Sequence, residues 1–155
     1  MRPMPRTLPI ALAISLLWLS ACASGRDPAT DEAGVKATLE AFYGAMKTGD
    51  TATAMAQIAQ DAMFVESGRL ETREQYEKNH FPADFAFEKQ ITGKRTPWRV
   101  TINGDTAWVI ASTSYKGPVD DSEVDFTSSQ LAVLTHEMDG WRIRSIHWSS
   151  RPNLD

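Results

Sequence analysis

The chain has 155 residues, of which 42% are hydrophobic and 23% charged, and its formal net charge is −4. This length and composition suit one domain with its own core. A negative net charge without a stripe of lysine and arginine argues against a nucleic-acid-binding protein. The single cysteine, Cys22, excludes an internal disulfide, so the fold must depend on its core.

The first 21 residues have the features of an export signal. Arg2 and Arg6 give a positive start, and residues 8–19 are uncharged and mostly apolar. That stretch is too short, and too closely followed by small residues, to predict a membrane-spanning helix. Leu19–Cys22 reads L-S-A-C, which resembles the lipobox of bacterial lipoproteins. The resemblance implies cleavage before Cys22 and acylation of its sulfur.

These features divide the chain into three predicted segments. They are a signal peptide over residues 1–21, acylated Cys22 with a flexible tether over residues 22–31, and a folded domain over residues 32–155. Several acyl chains on one residue would anchor the protein stably. Ala23 stands where an aspartate would resemble an inner-membrane retention signal, so we expect anchoring in the outer membrane, facing the periplasm. The alternative is a plain secretory signal, because residues 21–23 read A-C-A and also fit an A-x-A cleavage site.

Helical patterns dominate the first part of the domain. Asp31 is predicted to cap the first helix and Gly49 to end it. The apolar stripe of this helix recurs at helical spacing and consists of Val35, Leu39, Phe42 and Met46. Asp50 or Thr51 is predicted to cap a second, shorter helix that reaches Ile58.

A short strand and a third helix follow. Met63–Glu66 is predicted to be the strand. Thr72 and Gln75 form a capping box that opens a helix towards His80. Pro82 is predicted to end this helix, because the residue before a proline disfavours helical dihedral angles.

Strand-forming residues dominate the second part of the domain. Segments rich in valine, isoleucine, threonine, tryptophan and phenylalanine predict strands over residues 85–94, 98–102, 107–115, 126–137 and 141–149. Hairpin turns are predicted at Asn103–Asp105 and Asp139–Gly140, and a longer acidic loop over residues 117–125. Helices followed by hairpin-linked strands predict an α+β fold with an antiparallel sheet.

Residues 42–50, residues 66–87 and residues 140–150, the last reading G-W-R-I-R-S-I-H-W-S-S, carry a family resemblance. With the order of the elements, they resemble the NTF2-like superfamily, and within it the SnoaL-like and DUF4440-type domains, over residues 32–152. The resemblance implies a cone, in which three N-terminal helices pack on a curved, mainly antiparallel sheet with a pocket at the open end. Members use the pocket for isomerisation, cyclisation, dehydration or hydrolysis, or bind and pair without chemistry.

Alternation along the last strand would place Trp141, Ser145 and His147 on one face. By resemblance, this face looks into the pocket. There His147 could act as a general base or a metal ligand, because the ordinary pKa of histidine is about 6.5. This chemistry requires the ring of His147 to point inward. The alternative is a partly buried histidine that is hydrogen-bonded to a neighbour.

Glu66, His80 and Asp84 are further candidate polar groups. With His147 they could form a general acid–base cluster or a divalent-metal site. Their spacing matches no compact metal motif, so no metal is assigned. His80 and Asp84 would share a helix face only if the helix continued past Pro82. Alternatively, the two carboxylates pair with arginines on the rim.

Tyr43 and Tyr76 could line the pocket and donate phenol hydrogen bonds, as the resemblance to ketosteroid isomerase-like members implies. A tyrosine beside a helical apolar stripe is also a common core residue. The candidate catalytic residues are therefore Glu66 and His147. The candidate ligand contacts are His80, Asp84, Tyr43, Tyr76, Trp141 and Ser145.

Three functions remain open. The first is the binding of a small, largely apolar ligand in the pocket. The second is a cofactor-free isomerase, dehydratase or hydrolase with Glu66 or His147 as general base. The third is a homodimeric or partner-docking scaffold that uses the open sheet face. The sequence contains no dinucleotide fingerprint and no phosphate-binding loop, so no cofactor is expected.

Overall fold

The computed structural model describes residues 27–153. The predicted signal peptide, Cys22 and residues 23–26 of the predicted tether lie outside the described residues, as do residues 154 and 155. Within the described part, no helix is both long enough and apolar enough to cross a lipid bilayer.

Helices precede most of the strands, and the fold is α+β as predicted. The helical elements are α1 (Pro28–Thr48), α2 (Thr51–Ala56), α3 (Arg73–Gln75), a π-helical turn (Tyr76–His80) and α4 (Phe81–Glu88). The strands are β1 (Ile58–Glu66), β2 (Arg69–Thr72), β3 (Lys94–Arg95), β4 (Arg99–Asn103), β5 (Thr106–Val119), β6 (Ser122–Glu137) and β7 (Gly140–Pro152).

Helix α1 is capped at both ends. The carboxylate of Asp27 accepts hydrogen bonds from two backbone N–H groups of the first turn, and Pro28 lacks the N–H that would go unpaired there. The predicted cap, Asp31, therefore lies one turn inside the helix. Gly49 ends α1 as predicted, with a φ of 72° that glycine adopts without strain.

Helix α3 continues through the π turn into α4 and does not stop at Pro82. The N–H of Phe81 donates to the carbonyl of Tyr76, five residues earlier, so this turn holds one extra residue. Pro82 then lies in the first turn of α4, where a missing N–H is tolerated. The predicted helix end at Pro82 and the predicted strand over residues 85–94 are both wrong, since α4 runs to Glu88.

The seven strands form one sheet in the order β2-β1-β7-β6-β5-β3, with β4 also paired to β5. β1 runs parallel to β7, and the other pairs are antiparallel. The hairpin turns predicted at Asn103–Asp105 and Asp139–Gly140 are confirmed. The loop predicted over residues 117–125 is wrong, because β5 and β6 stay paired until Val119 meets Ser122.

A β-bulge in β7 decides which side chains of the last strand face inward. Ile143 and Ser145 pair with consecutive residues of β6, so Arg144 is an extra residue. The extra residue reverses the alternation of the strand. Ile143 and Ile146 are both buried, whereas His147 is exposed. The predicted inward orientation of His147 is therefore wrong, because that prediction assumes an unbroken alternation.

The core lies between the helices and one face of the sheet. Its largest fully buried side chains are Val35, Leu39, Phe42, Phe64, Tyr76, Phe81, Val109, Leu134, Ile143 and Ile146. Burying a large apolar side chain contributes about 1.5–3 kcal/mol, so these contacts fix α1 and α4 against the sheet. Next to this core, between α1, α4 and the sheet, the packing leaves a cavity.

Candidate functional site

The cavity has a volume of about 410 Å³. Its lining residues are Tyr43 and Met46 of α1, Glu66 of β1, Asp84, Phe87 and Glu88 of α4, Tyr115 of β5, Phe126 and Ser128 of β6, and Trp148 and Ser150 of β7. Each of them lies on a helix or a strand. Backbone hydrogen bonds therefore hold the cavity wall in place, as a preorganised site requires.

Aromatic rings form the apolar part of the wall. The ring centroids of Phe87 and Tyr115, and those of Tyr115 and Phe126, are 5.1 Å apart. Trp148 stacks on the buried ring of Phe64 at 6.0 Å. Such pairs contribute about 0.5–1.5 kcal/mol each beyond the burial of their area, so this part of the wall is already formed without a ligand.

His80 lies between three carboxylates. Its Nε2 is 2.7 Å from Glu66 Oε2 and 3.4 Å from Asp84 Oδ1, and its Nδ1 is 2.7 Å from Glu71 Oε2. Each ring nitrogen faces a carboxylate oxygen, so both must donate and the ring is an imidazolium. The hydrogen bonds to Asp84 and Glu66 raise the pKa of His80 to about 11, against the opposing effect of burial. His80 is therefore a fixed cation that positions carboxylates, and it is not a general base at neutral pH.

Tyr76 holds the second oxygen of Asp84. Its hydroxyl donates to Asp84 Oδ2 at 2.9 Å, and its ring stacks on Phe64 with centroids 4.0 Å apart. Burial, followed by the charge of Asp84, raises the pKa of Tyr76 well above its usual value. The phenol therefore keeps its proton, and both oxygens of Asp84 are held by groups that do not themselves line the cavity.

Two more tyrosines are fixed by hydrogen bonds in the wall. Tyr43 donates to Gln130 Oε1 at 2.6 Å and accepts from Trp148 Nε1 at 3.4 Å. Tyr115 donates to Glu88 Oε1 at 2.5 Å. Burial is the main cause that raises the pKa of both phenols, so each of them remains a neutral donor.

The structure brings only some of the predicted site residues together. Glu66, Asp84 and Tyr43 line the cavity. His80 and Tyr76 contact the carboxylate of Asp84 without lining the cavity. Among residues 27–153, no group of three or more His, Cys, Asp or Glu side chains is arranged to hold a metal ion.

Trp141, Ser145 and His147 do not line the cavity. Trp141 is buried at the start of β7 and borders a separate depression beside the N-terminus of α1. Ser145 and His147 follow the bulge and share the phase of β7 that faces away from the core. The prediction that these three residues face the pocket together is wrong for this reason.

Several lining residues are not among the site residues predicted from the sequence, namely Met46, Phe87, Glu88, Tyr115, Phe126, Ser128, Trp148 and Ser150. A helix continued past Pro82 would have placed Phe87 and Glu88 on the face of Asp84, at i+3 and i+4. No pattern in the sequence marks the bulge that turns Trp148 inward.

The outer face of the sheet carries exposed apolar side chains. Trp108, Ile110 and Leu131 are 36%, 45% and 42% exposed. Leu131 pairs with Ile110 on β5 and with His147 on β7, so Ile110, Leu131 and His147 are neighbours across three strands. The homodimer expected through the sheet would cover this patch. That homodimer stays a prediction.

His80→Gln should destabilise the fold by roughly 1–3 kcal/mol at about pH 6, because it leaves three carboxylates without their shared cation. The folded-state pKa of about 11 lies above the ordinary value of 6.5, so the stabilising effect is complete below pH 6.5 and is lost as the pH rises towards 11. Urea unfolding at a series of pH values should therefore show the difference between the two proteins shrinking as the pH rises. An imidazole NMR signal of His80 that titrates near 6.5 would contradict this assignment.

Comparison with known proteins agrees with the fold. The family model of the SnoaL-like domain matches residues 35–152. A solved structure from Shewanella frigidimarina, provisionally named a ketosteroid isomerase, is 26% identical with a TM-score of 0.70, over 75% of this chain and 94% of that chain. No curated protein matches the chain.

Two further solved structures show the same fold. One is provisionally named a dehydratase of the NTF2-like family, from Streptomyces avermitilis, with 23% identity and a TM-score of 0.67 over 83% of this chain and 100% of that chain. The other is the CaMKII hub of S. rosetta, with 18% identity and a TM-score of 0.67 over 77% of this chain and 95% of that chain. Since the family model covers most of the chain, the protein belongs to the SnoaL-like domain family, which has the NTF2-like fold.

Proposed function

We propose that the domain binds a small, largely apolar ligand in the cavity between α1, α4 and the sheet. The observation that carries this proposal is a preformed cavity of about 410 Å³ with five aromatic rings in its wall. Ligand pockets of about 300–1,000 Å³ with mostly apolar walls and a few placed polar groups are typical of small-molecule sites. Here the polar groups are three carboxylates and the hydroxyls of Tyr43, Tyr115, Ser128 and Ser150.

The core cluster described for this fold lies between Val35 and Trp148, so a chain that begins at Ala23 retains it and is a suitable sample. We expect it to bind N-phenyl-1-naphthylamine, an uncharged aromatic probe that brightens in apolar surroundings. Ser128→Trp should weaken binding by roughly tenfold or more, because the new indole and the probe compete for one volume. Fluorescence titration measures the dissociation constant of the probe for the wild type and for the variant.

His147→Ala is the matched control, since this side chain lies on the outer face of the sheet, and it should leave the dissociation constant unchanged. Circular dichroism establishes that each variant is folded. A wild-type domain that does not brighten the probe would overturn the proposal. A folded Ser128→Trp domain that binds as tightly as the wild type would do the same.

A second candidate function is general-base catalysis of proton transfer at carbon. Asp84 lines the cavity, and both of its oxygens are fixed, one by Tyr76 and one by His80. Glu66 lines the same cavity and is bonded to His80. A positioned carboxylate in an apolar site is a suitable general base. Two similar structures carry the provisional names of an isomerase and a dehydratase. In this candidate function the general base is Asp84, in place of His147.

This second candidate predicts that the protein moves the double bond of a Δ5-3-ketosteroid into conjugation with its carbonyl group. The carboxylate of Asp84 takes a proton from C4 and returns it to C6, and the double bond moves from C5–C6 to C4–C5. Asp84→Asn should lower kcat by about a hundredfold or more with little change in KM, as followed by the absorbance of the conjugated ketone. Leu131→Ala, on the outer face, serves as the control. Equal rates for the wild type and Asp84→Asn, or no acceleration by either, would remove this candidate.

We also propose that the full chain is an envelope lipoprotein held in the outer membrane through Cys22. The positive start, the apolar stretch over residues 8–19 and the L-S-A-C sequence support this proposal. In bacterial cells fed a labelled fatty acid, the full chain should become labelled and should sediment with the outer membrane. Cys22→Ala should lose the label, since no other cysteine is present. Equal labelling of the wild type and Cys22→Ala, or of neither, would contradict the proposed anchor.

A further inference from the structure

The polar part of the cavity wall is acidic. Glu66, Asp84 and Glu88 contribute carboxylates, and none of the lining residues found among residues 27–153 is a lysine, arginine or histidine. A cavity with low-dielectric walls and charges of one sign concentrates ligands of the opposite charge. The net charge around the cavity, however, also depends on the cations next to its wall.

Among residues 27–153, two cations, His80 and Arg95, contact side chains of this wall, and both are already engaged. His80 is shared between Glu66, Asp84 and Glu71, the last of which adds a further negative charge. The guanidinium of Arg95 lies 3.9 Å from the ring centroid of Tyr43 and donates through Nε to Thr113 at 3.3 Å. The four carboxylates therefore outnumber the two cations, and the cavity keeps a negative field.

Glu88 is the carboxylate with the least compensation. It accepts a hydrogen bond from the neutral hydroxyl of Tyr115, and no ion pair within 4 Å joins it to a cation among residues 27–153. Glu88 lines the cavity together with Phe87, Tyr115 and Phe126, and the ring of Tyr115 packs against both phenylalanine rings. Aromatic faces attract cations, and the attraction is strongest where water is excluded.

We propose that the ligand of this cavity is an apolar molecule that carries one positively charged amine or quaternary ammonium group, and that Glu88 binds this group. The inference rests on the proposed ligand-binding function and names the chemical class of its ligand. The apolar body fills the space between Trp148 and the aromatic rings, while the cation lies between Glu88 and the ring faces. An anion of the same shape would meet an unfavourable field and lose affinity.

Three probes of the same shape test the proposal by calorimetry at neutral pH: 1-naphthylmethylamine, which is a cation, 1-naphthalenemethanol, which is neutral, and 1-naphthoate, which is an anion. The amine should bind roughly tenfold more tightly than the alcohol, and the naphthoate roughly tenfold more weakly. Added salt should lower the affinity of the amine and leave that of the alcohol unchanged.

Glu88→Gln should reduce the preference for the amine to about threefold or less without changing the affinity for the alcohol, because glutamine still accepts the Tyr115 hydroxyl. Glu40→Gln, an exposed acid on α1, removes the same charge away from the cavity and should preserve the full preference. Equal binding of amine and alcohol to the wild type would overturn the cation inference and leave ligand binding intact. If none of these probes binds, and N-phenyl-1-naphthylamine does not bind either, the proposed function itself is wrong.

Discussion

One imidazolium joins helix α4 to the hairpin of β1 and β2. His80 receives a carboxylate from β1, from β2 and from α4, and these three elements meet beside the cavity. A partly buried charge of this kind stabilises a structure only when its partners are well placed, because it has lost much of its hydration. The position of α4, and with it one side of the cavity, therefore depends on a cation that does not itself line the cavity.

This arrangement separates positioning from contact. The phenol of Tyr76 and the ring of His80 hold the oxygens of Asp84 from outside the cavity, while Phe64 supports the ring of Trp148 from the core. The lining residues can therefore interact with a ligand without first being ordered by it. Low reorganisation on binding favours both affinity and proton transfer. Ligand binding and general-base catalysis would therefore depend on the same lining residues.

Local signals in the sequence predict the framework well. The stripe of α1, its end at Gly49 and the capping box of Thr72 and Gln75 depend on residues within one or two turns, and all are confirmed. The two main errors have a common origin in single extra residues, one in the π turn before Pro82 and one at Arg144 in β7. Neither leaves a pattern in composition or periodicity, because each is stabilised by contacts with distant elements.

The same two positions explain the mixed outcome for the site. Glu66 and Tyr43 lie before both irregularities, and both line the cavity. His147 lies after the bulge, and its phase is reversed. Asp84 lies after the π turn, which preserves its contact with His80 at i+4 where a helix stop would have removed it.

The π turn has a consequence for how this site can change in evolution or by engineering. Each residue of an α-helix rotates the following residues by about 100°. Deleting one residue from α4 between Phe81 and Asp84 would therefore rotate Asp84, Phe87 and Glu88 away from the cavity together. The π turn already holds one extra residue, so a deletion between Tyr76 and His80 would return the turn to α-helical geometry and leave those three side chains in place. The π turn is therefore a position where this helix can lose one residue and keep the acidic side of the site, whereas the same loss in α4 would displace that whole side in a single event.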